Sequence, residues 1–107
     1  MLLTTTDAVE GRPVTAYLGI VTGEAIMGTN VFKDFFAGIS DFVGGRSGSY
    51  EKEARKAKDA ALEDMMEQAE NLGADAIVGI DLDYEVIGGD KKTLLMTIAN
   101  GTAVKLG

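Results

Sequence analysis

Residues 50–72, YEKEARKAKDAALEDMMEQAENL, carry the pattern that decides the fold. Small and apolar side chains recur every three or four positions, which is the spacing of one face of a helix. Charged side chains fill the opposite face, and Gly73 supplies a stop signal just after the segment. We therefore expect one long helix whose stripe packs closely on another layer; its members are Tyr50, Ala54, Ala57, Ala61, Met65, Ala69 and Leu72.

The segments before and after this helix have the composition of long β-strands. Residues 14–27, VTAYLGIVTGEAIM, are rich in β-forming residues. Gly19 and Gly23 inside this run indicate a bulge or a close backbone approach. Residues 75–87, DAIVGIDLDYEVI, are predicted to form a second long strand, because apolar and acidic side chains alternate with a period of two from Ile80 to Val86.

A third long strand is predicted over residues 93–106, after a hairpin turn at 88–90. It is apolar on both faces, which favours a central position, and Asn100-Gly101 indicates a bulge within it. A shorter helix is predicted over residues 30–43, and residues 4–6 are a candidate short edge strand.

These elements predict a single α+β domain over residues 1–107, with the order β-α-α-β-β and two layers. The expected sheet is antiparallel with the order 1-3-2, and the long helix covers one of its faces. Such a sheet leaves two long edges and its second face uncovered, which invites association between chains. A closed homo-oligomeric ring would cover these surfaces.

Composition narrows the classes of function. The chain contains neither cysteine nor histidine, so it offers no thiolate or imidazole for a metal and no Ser-His-Asp or Cys-His catalytic set. Its net charge of −7 argues against nucleic acid as a partner. No apolar run is long enough to cross a membrane and no signal peptide is recognised, so we expect a cytoplasmic protein.

Asp81, Asp83 and Glu85 are the candidate metal ligands, because alternation places all three carboxylates on one face of one strand. Hard cations such as Ca²⁺ and Mg²⁺ prefer oxygen ligands. The alternative is a solvated edge-strand face whose charges discourage aggregation. The spacing of about 7 Å between successive side chains on one face favours this alternative, since three ligands of one ion must converge.

Other candidates have structural interpretations that the sequence favours. Residues 44–48, GGRSG, could bind an anion before the helix but are more typical of a tight connection. Glu24 could be a catalytic acid, although an interface or solvent position is the commoner one for a lone carboxylate. Met65, Met66 and the phenylalanines could line a ligand pocket, but helical spacing favours a core or interface; the phenylalanines are Phe32, Phe35, Phe36 and Phe42.

Several strings resemble the YbjQ family of small bacterial proteins, which are described as heavy-metal-binding domains. They are VTGEAIMGTNVFKDFFAGISDFVGGRSGSYEKE, NLGADAIVGIDLDYE and NGTAVK, and the resemblance spans roughly Thr5 to Lys105. It implies a β-α-β-β core similar to dodecin subunits and assembly into a pentameric ring. It also implies that any metal site must use carboxylates, with Asp81, Asp83 and Glu85 matching the family's acidic strand.

Two classes of function therefore stay open. The first is an oligomeric binding or scaffold protein that holds a divalent cation or a small ligand. The second is an enzyme whose carboxylates act at subunit interfaces, which would require a perturbed carboxylate in a concave pocket.

Overall fold

The computed structural model describes residues 1–27, 48–89 and 92–107. In chain order, the described elements are a short strand, a long strand, a helix and two further long strands. They are β1 (Leu2–Leu3), β2 (Val14–Met27), α1 (Gly48–Asn71), β3 (Ala76–Gly89) and β4 (Lys92–Leu106). The predicted bounds of the long elements are therefore confirmed to within about two residues. The predicted helix at 30–43 lies outside the described residues.

The sheet has the order β1-β3-β4-β2, which corrects the predicted three-stranded antiparallel sheet. The short strand β1 adds a fourth member at the edge and runs parallel to β3, through the pairs Leu2–Ala76 and Leu3–Ile77. Its parallel direction makes the sheet mixed. The edge strand predicted at residues 4–6 thus lies at Leu2–Leu3, where Leu3 packs on the main core, and backbone hydrogen bonds involving Thr4 and Thr6 continue the contact with β3. Among the three long strands, β4 lies in the middle and is antiparallel to both neighbours.

Helix α1 covers one face of the sheet with the middle of its predicted stripe, whereas Leu72 at the end of the stripe is exposed. Ala57, Ala61, Met65 and Ala69 are all buried. Ala61, Met65 and Ala69 form the main core with side chains from all three long strands, namely Val21, Ile77, Ile80, Ala99 and Ala103. Ala57 packs in a separate small cluster with Met27 and Leu95. Burying each larger member of this set contributes about 1.5–3 kcal/mol relative to exposure.

The helix lies close to β2 because Gly23 has no side chain. A Cβ built on Gly23 would overlap the carbonyl oxygen of Ala61 and lie 3.1 Å from the backbone nitrogen of Met65. The expected close approach at Gly23 is therefore confirmed. Gly19 fulfils the other expectation for this strand, since a register shift lies between Tyr17 and Gly19 and its φ is +139°.

The N-terminal segment covers part of the opposite sheet face. Val9 and Val14 pack on a second cluster formed by four buried residues at one end of β3 and β4, namely Ala76, Val78, Val104 and Leu106. Asp75 ties the same end together, because its carboxylate accepts a hydrogen bond from the Leu106 backbone nitrogen at 2.9 Å. The rest of this face carries neither helix nor strand among the described residues.

Both long edges of the sheet lack a neighbouring strand over most of their length within the described ranges. Strand β2 pairs only with β4, and β3 pairs with β1 through Ala76 and Ile77 alone. No described helix is both long enough and apolar enough to span a bilayer.

Candidate cation site on the open face of the sheet

A bulge in β3 decides which way its carboxylates point. Val78 pairs with Thr102 and Asp81 with Asn100, so two residues of β3, Gly79 and Ile80, stand opposite the single residue Gly101. Gly79 has φ +62°, which is the left-handed conformation of the first residue of a glycine bulge. The sequence predicted an irregularity at this level, but the extra residue belongs to β3 and not to β4.

The bulge reverses the alternation of side chains along β3. Ile77 and Ile80 both belong to the core beneath the helix although three positions separate them. Strict alternation from Ile77 would turn residues 81, 83 and 85 toward the helix. With one residue inserted, Asp81, Asp83 and Glu85 turn to the other side, and all three are exposed.

We call the sheet face opposite α1 the open face, where the N-terminal segment does not cover it. The strand pairing shows which residues lie on it. They are Asp81, Asp83 and Glu85 of β3, Met96, Ile98 and Asn100 of β4, and Ile20, Thr22, Glu24 and Ile26 of β2.

Asp81 and Asp83 are neighbouring acids on the open face of β3. A side-chain hydrogen bond with Asp81 raises the pKa of Asp83, and the charge of Asp81, desolvation and the charge of Glu85 raise it further. Two carboxyl groups in hydrogen-bond contact share a proton when one of them is protonated. When both carboxyl groups are ionised, their repulsion favours the binding of a cation between them. Such a cation would have two carboxylate ligands, and water molecules would complete its coordination.

Glu85 does not complete a compact three-carboxylate site. Within the described ranges, no group of three or more His, Cys, Asp or Glu side chains is arranged to hold one metal ion. This agrees with the spacing argument, because three same-face carboxylates spread along one strand do not all converge on one point. The predicted trio is thus one adjacent pair with a third carboxylate further along the strand, and its metal binding stays a prediction.

Glu24 lies on the same face as the trio, two strands away. Ile98 of the central strand pairs with Asp83 on one side and with Glu24 on the other. At about 4.8 Å per strand, the backbones of Asp83 and Glu24 are roughly 10 Å apart. Glu24 is exposed, so it is one more charge of an acidic open face and not a buried acid in an apolar strand.

Exposed apolar side chains accompany these carboxylates. Ile20 is 80% exposed and Ile26 is 59% exposed, and both lie on the same open face of β2 as Glu24. Isoleucine at such exposure on a flat sheet face is typical of a surface that contacts another molecule.

The other sequence candidates fall into two groups. Met65 is fully buried in the core and Met66 is half-buried, so the structural interpretation of Met65 is confirmed. The four phenylalanines and residues 44–47 of the glycine-rich loop lie outside the described residues. Gly48 begins α1.

A shallow depression of about 320 Å³ lies at the N-terminal corner of the molecule. It is lined by residues of β1 and the following turn, Leu2, Leu3, Thr4, Thr6, Ala8, Val9 and Glu10. None of the candidate carboxylates contributes to it, so it is separate from the acidic pair.

Sequence reasoning missed one polar contact near the open face. Gln68 of α1 donates a hydrogen bond from Nε2 to the carbonyl oxygen of Thr22 at 2.6 Å and accepts one at Oε1 from the Thr22 nitrogen at 3.3 Å. The helical pattern marks Gln68 only as a solvent-facing residue. Nothing in the sequence indicates that it reaches a strand 46 positions earlier.

Comparison with known proteins supports the fold and identifies the family. A solved structure of a protein of unknown function from Pediococcus pentosaceus, assigned to the DUF74 family, matches with a TM-score of 0.63. The two chains are 16% identical, and the match covers 100% of this chain and 98% of that one. A likeness at this identity establishes the shared fold alone. The YbjQ family model, described as "Putative heavy-metal-binding", matches residues 1–107. The chain therefore belongs to the YbjQ family.

Proposed function

We propose that this protein is a homo-oligomeric binding or scaffold protein that holds a hard divalent cation on its open sheet face. Asp81 and Asp83 are the proposed ligands, and Glu85 acts on the bound ion through water. The carrying observation is that Asp81 and Asp83 lie on the same exposed face of β3, close enough for Asp81 to raise the pKa of Asp83 through side-chain hydrogen bonding and then through its charge.

The chemistry of the chain selects the class of metal. Soft heavy metals prefer thiolate or imidazole ligands, and the 107 residues contain no cysteine and no histidine. The donor set therefore does not fit a soft heavy-metal site of the kind that the family description suggests. Two adjacent carboxylates do fit Mg²⁺, which keeps several waters and takes one or two carboxylates from the protein.

Binding is favoured over catalysis by the openness of the site. A general acid acts best in a site that excludes water and holds its substrate in a pocket. Asp81 and Asp83 are exposed on a sheet face instead. The alternative of an enzyme that works at subunit interfaces requires a neighbouring chain to enclose this pair.

Self-association is proposed from the surfaces that the single chain leaves uncovered. Ile20 and Ile26 are exposed on the open face, and within the described ranges the outer edge of β3 has no strand partner beyond its contact with the N-terminal segment. A closed ring covers such surfaces in every copy. The number five and the likeness to dodecin subunits rest on the family resemblance.

Titration calorimetry tests the cation proposal. The wild type should bind Mg²⁺ or Ca²⁺, and the double change Asp81→Asn with Asp83→Asn should abolish this heat. The matched control is Asp59→Asn with Glu67→Gln on the exposed side of α1, because it removes the same number of negative charges. An equal loss of binding heat in the two double variants would contradict the assignment. Tight Zn²⁺ binding that persists in the Asp81→Asn, Asp83→Asn variant would also contradict it.

Light scattering coupled to gel filtration tests the assembly proposal. A pentamer has a mass five times that of the 11.3 kDa chain. A single species at 11.3 kDa at micromolar concentration would refute self-association, whereas another multiple would refute only the number five.

A further inference from the structure

The Gln68 carboxamide occupies the backbone groups of one residue on the outer edge of β2. It pairs with both the N–H and the C=O of Thr22, as a peptide group of a neighbouring strand would. Thr22 also stands opposite Asn100 of β4. Because its N–H and C=O bond Gln68, they point away from β4, and Thr22 and Asn100 form a non-hydrogen-bonded pair of the ladder.

The position of Thr22 along the edge matters for strand addition. In an antiparallel ladder every second residue of an edge strand directs its N–H and C=O outward. The outward set that contains Thr22 also includes Ile20, Glu24 and Ile26 on the straight part of β2. Gln68 therefore divides this row, and within the described part of β2 two outward positions follow it, Glu24 and Ile26.

We propose that Gln68 closes the outer edge of β2 to strand addition by a second copy of this chain. A long, flat edge strand is a template for runaway edge-to-edge pairing, and natural sheets protect such edges. Here the protection comes from a side chain of the covering helix, which reaches over the edge. Copies of the chain are thereby directed to meet through surfaces other than the middle of β2. This inference goes beyond the proposed cation-binding oligomer and does not depend on it.

The Gln68→Ala change tests this role without weakening the helix. Alanine has the higher helix propensity, so α1 should be retained while the carboxamide is lost. Gln68→Glu is a second variant that keeps the side-chain length, loses the donor, and places a carboxylate against the Thr22 carbonyl. Glu67→Ala, at the exposed neighbouring position, is the matched control.

Amide hydrogen exchange gives the local readout. In the wild type the Thr22 amide should exchange more slowly than the outward-facing amide of Glu24. In Gln68→Ala it should exchange roughly tenfold faster, as expected for the loss of about one hydrogen bond's protection. The buried Ile77 amide should not change in the same sample. Equal exchange at Thr22 in the wild type and in Gln68→Ala would overturn the proposal.

The distribution of masses gives the global readout. Mass photometry and thioflavin T fluorescence should reveal species larger than the wild-type assembly in Gln68→Ala, increasing with protein concentration. Gln68→Glu should form fewer of them, because its carboxylate places a negative charge at the edge. Glu67→Ala should match the wild type. Unchanged masses in Gln68→Ala, with the Thr22 amide deprotected, would show that the edge needs no closure and would refute the proposal. The wild-type mass itself tests the ring, so failure of one proposal is distinguishable from failure of the other.

Discussion

Gly23 of β2 lies directly against the backbone of Ala61 in α1, with no room for even a methyl group between them. Ala61 is completely buried, with an exposed fraction of 0%. The two residues set the distance between the helix and the sheet. The glycine in the strand and the alanine in the helix therefore both permit the same close contact between the two layers.

Gly23→Ala should destabilise the fold by at least about 1–3 kcal/mol, because the added methyl group overlaps backbone and not a flexible side chain. Denaturant midpoints at several protein concentrations would separate unfolding from dissociation. The conservative change Thr22→Ser on the neighbouring exposed position should stay within about ±0.5 kcal/mol. A midpoint for Gly23→Ala equal to that of the wild type would mean that the helix does not lie this close.

Ala61→Leu should cost about 1–3 kcal/mol from the helix side of the same contact, because the core around it is already filled. Glu67→Gln, on the exposed side of α1, should change stability by no more than about 0.5 kcal/mol. Thermal or urea unfolding of the two variants measures the contrast. Equal effects would place the alanine stripe away from the sheet.

The elements of the fold were readable from local pattern, whereas the placement of the site was not. The alanine spacing in residues 50–72 and the alternation over residues 80–86 are local patterns in the sequence. The bounds of the helix and of the strand that contain them are therefore predicted closely. Whether Asp81 faces the helix or solvent depends on which strand takes the extra residue opposite Gly101. Glycines at both Gly79 and Gly101 allow either choice, and only the pairing of the strands decides it.

Gly79 should tolerate asparagine better than alanine, because its φ of +62° lies in the left-handed region that asparagine adopts more readily. Gly79→Ala should cost about 1–2 kcal/mol of stability. An added Cβ meets no atom within 4 Å, so the cost is conformational and not steric. Urea midpoints for the two variants measure the difference, and an alanine variant as stable as the asparagine variant would argue against the bulge.

Asp75 should contribute to stability at neutral pH and lose that contribution in acid. The hydrogen bond from the Leu106 backbone holds its pKa below the ordinary value of 3.8, and Lys105 at 3.5 Å assists. A carboxyl group whose pKa is lowered on folding stabilises the native state above its unfolded pKa, and this is lost as the pH falls through the folded value.

Asp75→Asn should therefore lower the melting temperature at pH 7 and flatten the decline of stability below about pH 4. Asp59→Asn on the exposed side of α1 serves as the control for the change in net charge. Parallel stability curves for the wild type and Asp75→Asn across the acid range would contradict the assignment.

Anomalous diffraction from crystals soaked in Mn²⁺ tests the cation proposal most directly, because Mn²⁺ accepts carboxylate and water ligands as Mg²⁺ does. We expect a peak in contact with the carboxylate oxygens of both Asp81 and Asp83, and no such peak in crystals of the Asp81→Asn, Asp83→Asn variant. Well-occupied Mn²⁺ bound elsewhere, with no peak at this pair, would contradict it.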